Sequence, residues 1–335
     1  MMGEWNKELE KKILKKSRFT LTMRILRVFV LGMLVYGIYT ILLNVVSDRF
    51  QFAEENDFNT KLALEWKTPN VRGTFDYTAD GISFFGTTEV TYPIVKKVGK
   101  EDLVIGEAKA VKRLSDTNSY IEYQTPGKDQ LNFFPFFYPE DPRTGDKLDA
   151  NPEPDVWKTL DMLHEGIVGE LAFSTDRFME PEELIESLKP YDVDILWMQL
   201  HTGEYTEFSP GSSGGSATEV TVYDGIGLPP ARTMAEDYLS SKMAFELDAS
   251  SIEESKVAML DNMEKLISDK STNYLEFYLG LSHFKTRYDY LKENGFTVYG
   301  AVVTGPVKEL LKLQDEEWVR GEQLGEVELW NWSEE

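Results

Sequence analysis

"VYGAVVTGPVKELLKL", Val298 to Leu313, decides how the second half of this chain is read. An uncharged apolar run leads into Thr304-Gly305-Pro306, and a helical pattern follows. The pattern predicts a buried strand, a Gly305-Pro306 turn, and a helix with proline at its first position, where a backbone N–H would have no intrahelical partner. The same parts, in a different sequence, build phosphate sites. A dinucleotide-binding turn needs G-x-G-x-x-G and a P-loop needs G-x-x-x-x-G-K-[ST]. Neither is present here, and Pro306 lacks the N–H that would face a phosphate, so Thr304, Gly305 and Pro306 read as a structural signature.

Working outward, a second unit of the same design lies upstream. "GIVGELAFST" reads as a strand, Met179-Glu180-Pro181 opens the helix "PEELIESLK", and "VDILWMQL" is a return strand carrying Trp197. The terminal "GEVELWNW", with Trp330 and Trp332, closes the first unit in the same way. Two helical stretches, "SIEESKVAMLDNMEKLIS" and "STNYLEFYLGLSHFKTRYDYLKEN", separate the two, the second stopping before Gly295. Residues 156–335 are thus expected to form an α+β domain with two strand-helix-strand units. Residues 48–138 alternate strand-like runs ("GISFFGTTEVTYPIV", "DLVIGEAKAVKRL") with turns and are expected as a β-rich domain. Residues 139–155, rich in Pro, Gly and Asp, are expected as a linker.

At the other end, "VFVLGMLVYGIYTILLNVV", Val28 to Val46, holds no charge. Nineteen helical residues reach roughly 28 Å, close to a hydrocarbon core. The run is longer than the core of a signal peptide, and no Ala-x-Ala site follows it. It is expected as a single transmembrane helix. Residues 1–27 carry eight Lys or Arg against three Glu, a net of +5, while the remainder carries −28. That asymmetry places residues 1–27 in the cytoplasm and the folded part outside the cell membrane. Trp5, Leu9 and Ile13 form an i, i+4, i+8 stripe, a candidate contact for a partner groove or for anionic inner-leaflet lipids.

Chemistry leaves few marks. An acidic folded part excludes nucleic acid as a partner, and the absence of cysteine excludes disulfides and thiolate metal sites. Gly211-Ser212-Ser213-Gly214-Gly215 fits G-x-S-x-G but lies in a Gly/Ser loop, not at a strand-to-helix elbow. Ser282-His283-Phe284-Lys285 lacks the companion motifs of an S-x-x-K enzyme. His164, His201 and His283 have no metal-pair spacing, and Asp149 to Asp155 puts Pro154 where a calcium loop needs glycine. No catalytic residue, cofactor or metal is expected, and the chain is not read as an enzyme.

Six stretches carry a resemblance: "LKKSRFTLTMRIL" with its span, "TPNV" at Thr68 to Val71, "GELAFSTDRFMEPEEL", "DILWMQL", "NGFTVYGAVVTGPVKELLKL" and "GEVELWNW". In these the chain resembles the sigma factor regulators of Gram-positive bacteria, membrane-anchored anti-sigma factors of extracytoplasmic-function sigma factors. The resemblance implies such a sigma factor as partner, leaves room for a second membrane protein beside it, and implies an exported domain that senses envelope state and no catalysis. It also implies a helical cytoplasmic domain of several tens of residues, where residues 1–24 offer about 36 Å of one helix face. Those residues are expected to inhibit only as part of a larger assembly. Composition alone suits another reading, a membrane-tethered envelope assembly protein with no sigma partner.

Overall fold

The computed structural model describes residues 7–332 except 81, 84, 114–117, 128–130, 132, 217, 236, 237 and 239. The basic segment and the apolar run are one continuous helix, α1 (Lys7–Phe50), about 66 Å long at 1.5 Å per residue. Its apolar window is long enough to cross a membrane and is not covered by protein. Gln51, in the left-handed region at φ 48°, joins it to α2 (Phe52–Lys67).

The β-rich reading of residues 48–138 passed over α2, and the reason is physical. Every residue from Asn56 to Trp66 is buried, so no polar face marks the helix. Its polar side chains are paired instead of solvated. Asp57 binds Lys61 at 2.6 Å, Tyr278 donates to Asn56 at 2.8 Å, and Asn59 donates to Tyr274 at 3.2 Å. An amphipathic period cannot appear in a helix buried all round.

A first antiparallel sheet wraps α2. It comprises β1 (Arg72–Gly73), β2 (Thr78–Asp80), β3 (Thr87–Val98), β4 (Glu101–Arg113) and β5 (Tyr120–Gln124), in the order β1-β3-β4-β5 with β2 also on β3. Phe134 to Tyr138 then cross to the second half of the fold. Residues 139–155 follow along its edge, with Leu148 buried and the Glu153 N–H bonded to the Glu322 carbonyl at 2.9 Å.

The second half begins with α3 (Val156–Met162), β6 (Ile167–Met179), α4 (Pro181–Leu188) and β7 (Asp194–His201). A long insertion follows: β8 (Ser213–Ser216), β9 (Glu219–Val222), β10 (Gly227–Leu228), β11 (Arg232–Met234), β12 (Ser241–Met243), α5 (Ile252–Asp269), a π-helical turn Tyr274–Tyr278, and α6 (Phe284–Asn294). The chain ends with β13 (Thr297–Pro306), α7 (Val307–Lys312) and β14 (Val319–Leu329). The sheet order is β10-β7-β13-β6-β14, every neighbour antiparallel. Each strand-helix-strand unit therefore has a strand of the other unit inserted between its own two strands, the split arrangement of ferredoxin-like folds. The fold is α+β with one long apolar helix, as the sequence implies.

Two readings change in detail. Thr304-Gly305-Pro306 is the buried end of β13, paired with Glu170, Gly169 and Val168, and not a turn. Pro306, at ψ 132°, caps α7 from outside the helix, so the helix starts at Val307. Residues 271–294, read as one helix, break at Gly280, whose φ of +68° ends the π-turn. The Lys67 ammonium, at the end of α2, donates to the freed Leu279 carbonyl at 3.2 Å.

Leu171, Phe173, Ile195, Ala301 and Val303 face the helices in the main core. Ala172, Trp197, Tyr299 and Val302 face the other way, under Phe134, Phe136 and Tyr138.

Burial raises the Asp57 carboxyl from 3.8 to about 6 against the pull of Lys61. A carboxyl raised on folding stabilises most below its unfolded value, and that contribution is lost as pH rises through the folded value. Denaturant unfolding of the full chain should show the wild type gaining on Asp57→Asn between about pH 6 and pH 4, by up to ~3 kcal/mol. A difference independent of pH would contradict this.

Candidate functional site: a charged clasp between the two sheets

The tip of the β3–β4 hairpin, Lys96-Lys97-Val98-Gly99-Lys100, reaches out of the first sheet into the second. Strand alternation sends Lys96 to one face and Lys97, also buried, to the other, and Lys100 sits at the rim. Lys96 Nζ meets Glu170 Oε2 of β6 at 2.5 Å, and both side chains are essentially inaccessible to water. The other Glu170 oxygen accepts from Asn70 Nδ2 at 2.7 Å, and the Glu326 N–H donates to Oε2 at 3.2 Å. Asn70 also ties itself to Lys97, donating to its carbonyl at 2.8 Å and accepting from its N–H at 3.2 Å. The Lys97 and Lys100 ammoniums converge on Asp194 of β7, at 3.1 and 2.9 Å.

Thr304 closes the clasp. Its hydroxyl accepts the Gly99 N–H at 2.7 Å and donates to the Gly169 carbonyl at 2.8 Å. Gly99 sits at φ +67°, and a Cβ there would lie 1.8 Å from Asn331 Oδ1, so the position admits only glycine. Asn331 accepts the Lys100 N–H at 3.1 Å and donates to the Val98 carbonyl at 2.9 Å. Trp332 donates to Asp192 at 2.8 Å and lies under the Lys100 ammonium, 4.2 Å from the ring centroid.

A second anchor holds α2 itself. Arg232 of β11 grips the Glu65 carboxylate with Nε at 2.9 and 3.0 Å and Nη2 at 2.6 Å, and donates to the Gly73 carbonyl at 2.7 Å. Trp197 donates to the Glu65 carbonyl at 3.0 Å. All of these groups are buried, and nothing in the arrangement presents an activated nucleophile. Its chemistry is that of a latch: charges that are stable only while both halves stay together.

Deeper in the insertion, Arg287 pairs with Glu204, and Thr202 donates to the same carboxylate at 2.7 Å. Burial would raise the Glu204 carboxyl, but Arg287, His201 and Thr202 hold it well below its ordinary range. Tyr138, donating to it at 3.2 Å, is pushed well up by burial and by that carboxylate. Among the described residues, no group of three His, Asp or Glu side chains is placed to hold a metal ion.

The N-terminal stripe is only partly in view. Leu9 and Ile13 are exposed on α1, and Trp5 lies outside the described residues. The stripe and the Thr304-Gly305-Pro306 signature are not brought together.

Two family descriptions match, in chain order. Sigma factor regulator N-terminal covers residues 11–103, and sigma factor regulator C-terminal covers residues 160–326. The chain belongs to the sigma factor regulators. Among curated proteins it is similar to the "Probable anti-sigma-M factor YhdL" of Bacillus subtilis (strain 168), 26% identical over 282 residues. That match spans 79% of this chain and 66% of the relative, just under two thirds of its length. No solved structure matches the regulator.

The stretches that carry the resemblance meet at the clasp. Asn70 of "TPNV" binds Glu170 of "GELAFST", Trp197 of "DILWMQL" binds α2, Thr304 of "VTGPV" binds Gly99, and Asn331 and Trp332 of "ELWNW" bind the hairpin tip. Lys96, Glu170, Glu65 and Arg232 were not singled out from the sequence. Each looks like one charge among many until its partner, 74 to 167 positions away, is brought beside it.

Removing one member of a buried pair leaves the other uncompensated. Lys96→Ala should cost about 3–5 kcal/mol in equilibrium unfolding. Combining Lys96→Met with Glu170→Gln should recover part of the loss, giving a coupling above ~1 kcal/mol in the double-mutant cycle. Strict additivity would show that the pair does not act as a unit.

Proposed function

We propose that this regulator is a membrane-anchored anti-sigma factor of an extracytoplasmic-function sigma factor, its N-terminal segment in the cytoplasm and its folded part sensing envelope state outside. The observation that carries the reading is the ordered match of both sigma factor regulator regions along one chain. The name of the Bacillus relative supports it, as does the +5 flank ahead of a single candidate span.

The continuity of α1 and α2 supports one route for a signal. α1 runs into α2 through Gln51 alone, and α2 is held by Glu65–Arg232 and by the wrapping first sheet. An external event that loosens the clasp frees α2 and with it the angle and height of α1. Inside, Leu9 and Ile13 offer an exposed apolar edge between lysines, with Trp5 preceding them in the sequence, suited to a sigma factor groove or to the anionic leaflet beside a second membrane protein. A stripe of three side chains falls well below the area of an obligate interface, so Trp5, Leu9 and Ile13 act within a larger assembly.

The test combines inhibition and topology. Deleting residues 2–14 while keeping Lys15 to Arg27 should partly derepress the sigma factor's target promoters, and a reporter active only outside, fused after Glu335, should work. Unchanged sigma-dependent expression would favour the tethered assembly protein. Nanomolar binding of a peptide of residues 1–24 to the sigma factor, with full derepression, would show the segment sufficient alone. A fusion active only in the cytoplasm would overturn the orientation.

A further inference from the structure

Phe85 is 84% exposed. It lies between Ser83 and Gly86, where the Gly86 N–H donates to the Ser83 carbonyl at 2.9 Å and the Ser83 N–H donates to the Thr87 carbonyl at 2.8 Å. The Ser83 hydroxyl oxygen also accepts the Thr87 N–H at 3.0 Å. A backbone fixed by three bonds cannot swing Phe85 inward to a core.

The turn's location suggests what covers it. Gly86 lines one cleft with Phe52, Thr88, Lys112, Arg113 and Lys270. Phe52 opens α2, two residues after the end of α1. The apolar run of α1 ends at Val46, six residues earlier. Six residues span about 9 Å as helix and at most about 20 Å extended, against a headgroup layer of roughly 5–8 Å per leaflet. Chain connectivity therefore brings the cleft to the bilayer surface, whichever side the folded part occupies.

Charge at this end runs against the rest of the fold. The Lys112 and Lys270 ammoniums flank the Tyr274 ring at 5.5 and 5.4 Å, and Arg113 is exposed beside them. Glu55, paired with Lys270 at 2.6 Å, and Asp269 are the carboxylates on the rim. Among the described residues of the cleft three cations thus meet two carboxylates, in a region whose net charge is −28.

We propose that this end of the fold is a bilayer-docking surface for the membrane that α1 spans, with Phe85 entering the interfacial zone and Lys112, Arg113 and Lys270 facing anionic lipid phosphates. The proposal rests on α1 as a spanning helix. Docking would fix the tilt of the fold against α1, so that loosening the clasp moves the helix and not the whole ectodomain.

The chain has no cysteine, so a single nitroxide reports one position. Full-length Phe85→Cys, labelled and placed in nanodiscs of phosphatidylcholine with about one quarter phosphatidylglycerol, is compared with Val35→Cys in the span. Tyr223→Cys, beside Lys67 at the far end of α2, is the aqueous reference. The ratio of oxygen to nickel-chelate collisions at position 85 should lie several-fold above that at 223, and should fall towards it when Lys112→Glu and Arg113→Glu are added. A label at 85 as aqueous as at 223, with 35 still in lipid, overturns the docking surface and leaves the span intact. An aqueous label at 35 overturns both. Label–label broadening at 85 that grows with copies per disc assigns the turn to a protein contact and also overturns the proposal.

Discussion

A helix buried on every side with its charges still on it has to be enclosed by partners, and α2 imposes that requirement on the rest of the molecule. Its Glu65 needs Arg232, its Asp57 needs Lys61, and its asparagines need Tyr274 and Tyr278. Lys61 lies one turn along α2 itself, and Arg232, Tyr274 and Tyr278 come from the insertion between β7 and β13, while the other side of the helix is wrapped by the first sheet. The first sheet is in turn pinned by Lys96 on Glu170 and Gly99 on Thr304. Pairs of this kind contribute less to net stability than apolar packing of equal volume would, but they tolerate one geometry only. They specify how the two halves meet.

That specificity matters because of what α2 is joined to. A membrane helix attached to a loosely held domain can tilt and rotate without the domain registering it. Here α1 enters a helix held along most of its length, so a displacement at the clasp and a displacement of α1 are linked by covalent continuity and packing alone. Under the proposed topology, with the two ends in different compartments, this is the minimum device a signal needs.

Much of the second sheet was legible from residues. The strand at Ile167, the proline-headed helix at Pro181, the strand at Asp194 and the strand-helix pair from Thr297 all follow the expected periods, because each keeps one face on the helices. The long apolar helix, a candidate span, was legible from its lack of charge. By contrast, α2 was hidden because its polar residues are buried in pairs, which erases the amphipathic period. The break at Gly280 was hidden because one glycine in a helical pattern carries too little signal. Within the site, Thr304-Gly305-Pro306 was marked as structural, but the reason was out of reach: the Thr304 hydroxyl serves Gly99, 205 positions earlier. No local pattern encodes a pairing of that range. The family match shows that those stretches go together, and the clasp gives the physical cause.

Hydrogen exchange on the full-length protein in a bilayer tests the central claim most directly. If the clasp makes α2 part of the same cooperative unit as the second sheet, amides of Phe58 to Trp66 should open with the same free energy as those of β6 and β13. If α2 instead exchanges through an opening several kcal/mol easier than that of the sheet, it is not held by the clasp, and the proposed coupling to α1 is wrong.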